Sequence, residues 1–184
     1  MGKKIVLTLA FLLISLVPAL AGNGQKPAQE PPQGSLAVDT PAGKNSSGLP
    51  IPRFVTLATD KVFVRTGPAL RYPIKWVLQK EHLPVEIVQE FDTWRKIRDM
   101  EGDDGWVHQS MLSGNRSIVV KGEANLAVKK DPDAKSRTLA YLEPHVIAGV
   151  EECRGAWCAV EAEGYKGWAE RKFLWGIYDS EDFD

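Results

Sequence analysis

The chain has 184 residues and carries 23 Lys and Arg against 24 Asp and Glu, a formal net charge of −1 with its three His neutral. A balance this even offers no basic field for nucleic acid. Two Cys with the scattered His82, His108 and His145 form neither a zinc-type ligand spacing nor a nucleophile-and-base signature, so no catalytic residue, metal or cofactor is expected.

At the N-terminus, Lys3 and Lys4 precede a nearly uncharged apolar run from Ile5 to Leu20 and the small-x-small stretch Ala19-Leu20-Ala21. These are the parts of a signal peptide over residues 1–21, with cleavage after Ala21 and an exported, periplasmic product. A retained anchor is the alternative, but the run is short for the ~20 residues of a span and Pro18 breaks it. No membrane span is expected after cleavage, and Gly22 leaves no Cys there to carry a lipid. Residues 22–52, GNGQKPAQEPPQGSLAVDTPAGKNSSGLPIP, contain no aromatic side chain and cannot bury enough apolar surface to offset their ordering entropy. They are read as a disordered Pro/Gly-rich linker.

From Arg53 on the composition changes: all six Trp, all four Tyr and five of the six Phe lie beyond this point. Short β-branched or aromatic runs, FVTLA, KVFVR, IKWVL, PVEIV, WRKIR and GWV, read as strands between turn residues. Helical periodicity is missing apart from a single turn near Gln109 to Leu112. The stretch from Val64 to Leu112 repeats from Val128 to Leu174, with offsets drifting from 64 to 62. Val64 aligns with Val128, Ile87 with Val150, Trp94 with Trp157, Ile97 with Val160, and Gly105-Trp106 with Gly167-Trp168. Five or six short strands per copy close most economically as a small barrel or tight sandwich.

The expected division is therefore 53–115, 116–178 and an acidic tail at 179–184 read as a solvated end. The first copy carries nine charges of each sign, whereas Arg116 to Asp184 carries ten basic against thirteen acidic residues. In the second copy four residues separate Cys153 from Cys158, enough for a turn that sets them opposite each other on adjacent strands. An oxidising compartment lets them pair as a disulfide; the alternative is a free thiol, which would need a base nearby.

These residues resemble the bacterial SH3-like (SH3b) family, in its tandem, exported, alphaproteobacterial version. The first copy is similar to that family through VRTGP, YPIKWV, LPVEI, EFDTWRKIRD and GWV, and the second through CRGAWCAV and the ending LWG. The likeness runs from about Arg53 to Tyr178. It implies an all-β fold, two tandem small SH3-like β-barrels after the signal peptide and linker. Two departures stand out: Phe63 replaces a frequent Asn, and Lys129 and Asp131 replace Arg65 and Gly67 in the second copy.

Strand alternation places Trp94 on the face of Lys96 and Arg98, opposite Ile97, and gives Trp106 the side of His108. Arg95 and Arg98 read as solvated, and Trp76 as packing. The resemblance implies a ligand groove of Trp94, Trp106, His108 and Met111, faced by Arg65, Arg71 and Tyr72 in a long loop. The alternative is that these Trp fill the small core or the interface between copies. The loop TGPALRY has Arg71 and no carboxylate, which favours a neutral or anionic ligand over a basic proline-rich one. Two functions follow: a non-catalytic binding protein for a cell-wall peptide or an envelope protein, or an assembly protein whose Trp faces pack between copies or subunits.

Overall fold

A computed structural model of the chain describes residues 45–183. The predicted signal peptide and most of the predicted linker lie outside the described residues. The described part is all-β, with two sheets of seven strands and a single 3-10 turn in each copy. No helix among the described residues is long and apolar enough to cross a membrane.

The first copy comprises β1 (Arg53–Leu57), β2 (Val62–Arg65), β3 (Ile74–Leu78), β4 (Pro84–Phe91), β5 (Trp94–Arg98), β6 (Asp104–His108) and β7 (Leu112–Ser113). The predicted turn is a 3-10 turn at Gln109–Met111. The second copy comprises β8 (Ser117–Val120), β9 (Leu126–Lys129), β10 (Thr138–Leu142), β11 (Ile147–Arg154), β12 (Trp157–Ala162), β13 (Tyr165–Glu170) and β14 (Leu174–Trp175). The strand orders are β3-β2-β6-β5-β4-β1-β7 and β10-β9-β13-β12-β11-β8-β14, the same topology advanced by seven strands. The repeat read from sequence is thus a structural repeat. Ile87 pairs with Ile97 as Val150 pairs with Val160, and both pairings are followed by a bulge before the next residue pair.

The repeated Gly-Trp has a steric cause. A side chain on Gly105 would strike Val64 and come 3.1 Å from the Arg65 carbonyl, and one on Gly167 would lie 2.5 Å from the Lys129 carbonyl. Glycine lets β6 cross close over β2, and β13 over β9. Each copy has its own apolar core: Leu57, Val62, Val64, Val85, Ile87, Ile97 and Val107 in the first, with Ile118, Val128, Val160 and Leu174 among the second. Trp76 packs against the first core, as expected.

Arg95 departs from expectation. It is only 5% exposed, because it lies on the Ile97 side of β5 and is satisfied there by the Asp92 and Trp94 carbonyls, Gln109 and the Glu90 carboxylate. Arg98 is the half-exposed one, and it pairs with Glu86. Glu90 pairs in register with Arg95, and the same register position in the second copy holds Cys153 opposite Cys158. The two cysteines are joined, with Cα atoms 4.1 Å apart, so an ion pair in one copy occupies the place of a disulfide in the other.

Both of these spots are covered by segments that flank the strands. Ser46 and Ser47, within the predicted linker, hydrogen-bond Glu90. The acidic tail folds back while Asp179, Ser180 and Asp182 stay exposed: Glu181 takes Arg116 at 2.7 and 2.8 Å, and Asp182 takes the buried Arg171 at 2.6 Å. Phe183 then pairs with Cys153.

The copies meet at an aromatic seam. Phe54 of β1 stands edge-on to Trp175 at 5.1 Å and lies 4.7 Å from the Tyr178 ring. The Tyr178 hydroxyl donates to Glu86 at 2.7 Å, and Ser117 donates to the His82 carbonyl at 2.6 Å. Gly176, at φ 113°, passes so close that a side chain there would come within 2.5 Å of the Ser117 carbonyl.

Candidate functional site

On the first copy a cleft of about 710 Å³ opens between the loop after β2 and the end of the β5–β6 hairpin. Five of the seven residues expected at a groove line it: Arg65, Arg71, Trp94, His108 and Met111. Phe63, Ala69, Leu70, Thr93 and Ser110 complete the walls.

The floor is set by strand pairing. Trp94 lies directly across from His108, and the two rings meet edge-on at 5.6 Å and 82°. His108 also caps the 3-10 turn: its Nδ1 accepts from the Ser110 backbone N–H at 3.3 Å and lies 2.7 Å from the Ser110 hydroxyl. An accepting Nδ1 puts the proton of the neutral ring on Nε2, which makes that nitrogen a donor. The turn in the backbone after His108 delivers Met111 to the same cleft.

The opposite wall is the loop from Thr66 to Pro73, and Arg65 holds it. Its guanidinium donates to the Leu70 carbonyl at 3.1 Å and the Tyr72 carbonyl at 2.8 Å. Arg65 therefore shapes the wall, whereas Arg71 at the tip is exposed, its guanidinium over the Tyr72 ring at 5.2 Å. Leu70, 75% exposed, presents an apolar side chain beside it. No carboxylate lines this cleft.

Two expected residues lie elsewhere. Tyr72 packs on Gly67, where any side chain would meet its ring at 2.7 Å, so it supports the loop from behind. Trp106 is buried and sits in register between Arg65 and Lys96. Lys96 hydrogen-bonds Asp104 at 2.7 Å, and that bond holds the Asp104 carboxyl below its ordinary range. Trp94 and Trp106 are both buried, at 9% and 8% exposure, although neither joins the cluster of aliphatic side chains at the centre of the copy, and the tryptophan at the seam is Trp175.

Sequence reasoning missed Phe63 and Leu70. Phe63 alternates with the buried Val62 and Val64 and must face outward, and Leu70 is a large apolar residue in a turn-rich loop. Both signals were present in the alternation and in the loop composition.

The second copy differs at these positions. Trp157 faces Glu170 where Trp94 faces His108, and Glu170 is paired with Lys172. Lys129 stands for Arg65 but donates to Thr138 at 3.0 Å instead of bracing a loop. Ala127 replaces Phe63, and Asp131 replaces Gly67.

A family model described as "Bacterial SH3 domain" matches residues 58–114 and again 122–176. Among curated proteins, the chain is 26% identical over 129 residues to "Putative N-acetylmuramoyl-L-alanine amidase YrvJ" of Bacillus subtilis (strain 168). That match covers 64% of this chain and 24% of the relative, so the chain spans about a quarter of the relative's length. Among solved structures, NlpC2 from Trichomonas vaginalis is similar at 14% identity, covering 72% of this chain and 51% of that one with a TM-score of 0.33. NlpC1 from the same organism is similar at 16% identity, covering 68% and 46% with a TM-score of 0.32.

Proposed function

The chain belongs to the bacterial SH3 domain family, and on that premise we propose that it is an exported, non-catalytic binding protein. Its first module takes a neutral or anionic peptide, from the cell wall or from an envelope protein, in the cleft beside Trp94. The observation that carries this reading is the cleft itself. It combines an aromatic floor, an exposed Leu70 and the cationic Arg71 with no lining carboxylate, whereas the second copy keeps Trp157 and Lys135 but has Ala134 in place of Leu70 and Glu170 in place of His108. A peptide carboxylate is the natural partner for Arg71 and for the Nε2 donor of His108. The name of the curated relative, which refers to a sugar–peptide unit, supports a wall peptide as the first ligand to test.

Co-sedimentation of the full chain with insoluble peptidoglycan tests it. Leu70→Asp with Arg71→Glu changes two exposed side chains, so thermal unfolding should stay the same while retention on the wall falls at least tenfold. Equal retention of the variant and the parent protein would remove this cleft from the binding reaction. A second reading, an assembly role, draws on the Phe54, Trp175 and Tyr178 seam. It predicts that two separated copies re-associate in solution.

A further inference from the structure

The second copy carries a different cleft, on another part of its sheet, and its origin is visible in the repeat. Trp76 pairs with Val64 on β3, and its indole packs against the first core. The same register position on β10, across from Val128, holds Ala140. Where the first copy has an indole the second has a methyl group, and a cleft of about 540 Å³ lies there, lined by Ala140, Leu142 and Ala162 among others. At its mouth stand Tyr141, 65% exposed, and Tyr165, 59% exposed, with Glu143 and Glu163 beside them.

Among the described residues, five of the six other glutamates of this copy have a basic partner. Glu151 and Glu161 share Lys166, Glu152 takes Arg154, Glu170 takes Lys172 and Glu181 takes Arg116. Glu143 and Glu163 form no ion pair among the described residues. Two free carboxylates flanking two exposed tyrosine rings make a site for an ammonium or guanidinium group, through Coulomb attraction and the ring faces together. The apolar pocket between them matches a large side chain, since a covalently supplied one fills the same position in the first copy.

We propose that this cleft binds a basic polypeptide segment, seating an aromatic side chain over Ala140 while flanking Lys or Arg residues engage Glu143, Glu163, Tyr141 and Tyr165. The site is separate in sequence and in charge from the cleft beside Trp94, and it stands or falls independently of that reading. One protein would then hold an anionic peptide on one module and a cationic segment on the other.

The test uses the full chain and three fluorescent Gly-Ser-flanked peptides with cores Lys-Trp-Lys, Lys-Ala-Lys and Glu-Trp-Glu, read by anisotropy at low and at high salt. Lys-Trp-Lys should bind at least tenfold more tightly than either of the others, and more weakly at high salt. Ala140→Trp, which restores the first copy's residue, should abolish this binding; Tyr165→Ser with Glu163→Gln, both at exposed positions, should weaken it at least tenfold and covers the case in which the Trp variant does not fold. Leu70→Asp should leave it unchanged. Equal binding of Lys-Trp-Lys and Lys-Ala-Lys, unaltered binding in the Tyr165 and Glu163 variant, or no binding of any peptide overturns the proposal.

Discussion

The seam between copies makes the most quantitative prediction, because one hydrogen bond across it can be isolated. Glu86 belongs to β4 of the first copy and its side chain is only 6% exposed. One of its oxygens accepts from the Tyr178 hydroxyl at 2.7 Å, and the other accepts from Arg98. Tyr178→Phe deletes the hydroxyl and keeps the ring against Phe54. A hydrogen bond to a charged group is worth about 1.5–3 kcal/mol, and the half-buried Tyr178 places the expectation near the lower end, about 1.5 kcal/mol. Glu86→Gln retains the shape, so a double-mutant cycle in urea at pH 7 reads the pairwise term. Burial and the bond to ionised Glu86 also raise the Tyr178 pKa above its ordinary 10.0. A raised folded value means that this stabilisation is complete below pH 10 and declines as pH rises beyond it, and Tyr178→Phe should flatten that alkaline decline. A coupling energy below about 0.5 kcal/mol, together with an unchanged alkaline profile, would refute the view that this bond ties the copies together.

Three further outcomes are expected. Burial alone would raise the Glu90 pKa, but hydrogen bonds from Ser47 and the nearby Arg53 outweigh it and lower it from 4.5 to about 2. The resulting stabilisation, about 1–3 kcal/mol, is present above pH 4.5 and lost as pH falls toward 2; Glu90→Gln should remove that acid dependence in equilibrium unfolding. Glu90→Cys with Arg95→Cys recreates in the first copy the register of Cys153 and Cys158, so thiol titration of the denatured, unreduced variant should find no free thiol, and two free thiols would contradict the equivalence. Replacing both Cys153 and Cys158 by Ala should cost about 2 kcal/mol by the loop-entropy relation for so short a loop, measured by urea unfolding, and should leave ligand binding at the first cleft intact.

Much of the fold was legible because its signals are local or repeated. Alternation in WRKIR and KVFVR gave β5 and β2, and the aligned Gly-Trp pairs marked the close crossings that the structure shows at Gly105 and Gly167. The side of Trp94 was also correct, since parity and strand pairing agree there. What could not be read depends on contacts distant in sequence. Arg95 looked solvated because Glu90, Gln109 and the loop carbonyls that satisfy it are brought together only by the hairpin. Trp106 shares the face of His108 but is buried, since register, not parity, sets it between Arg65 and Lys96. The tail could not be read as folded back, because its partners Arg116 and Arg171 come from other elements. The contrast between Trp76 and Ala140 was present in the aligned copies, yet only the pairing of each with the equivalent valine shows that one fills the space the other leaves open.

Residue-resolved NMR of the full chain titrated with soluble muropeptides reads occupancy of the cleft beside Trp94. Saturable shifts are expected at Leu70, Arg71, Trp94, His108, Ser110 and Met111, with the equivalent positions around Trp157 and Glu170 unmoved. Saturable shifts centred on the second copy, or none in the first, would contradict binding at this cleft.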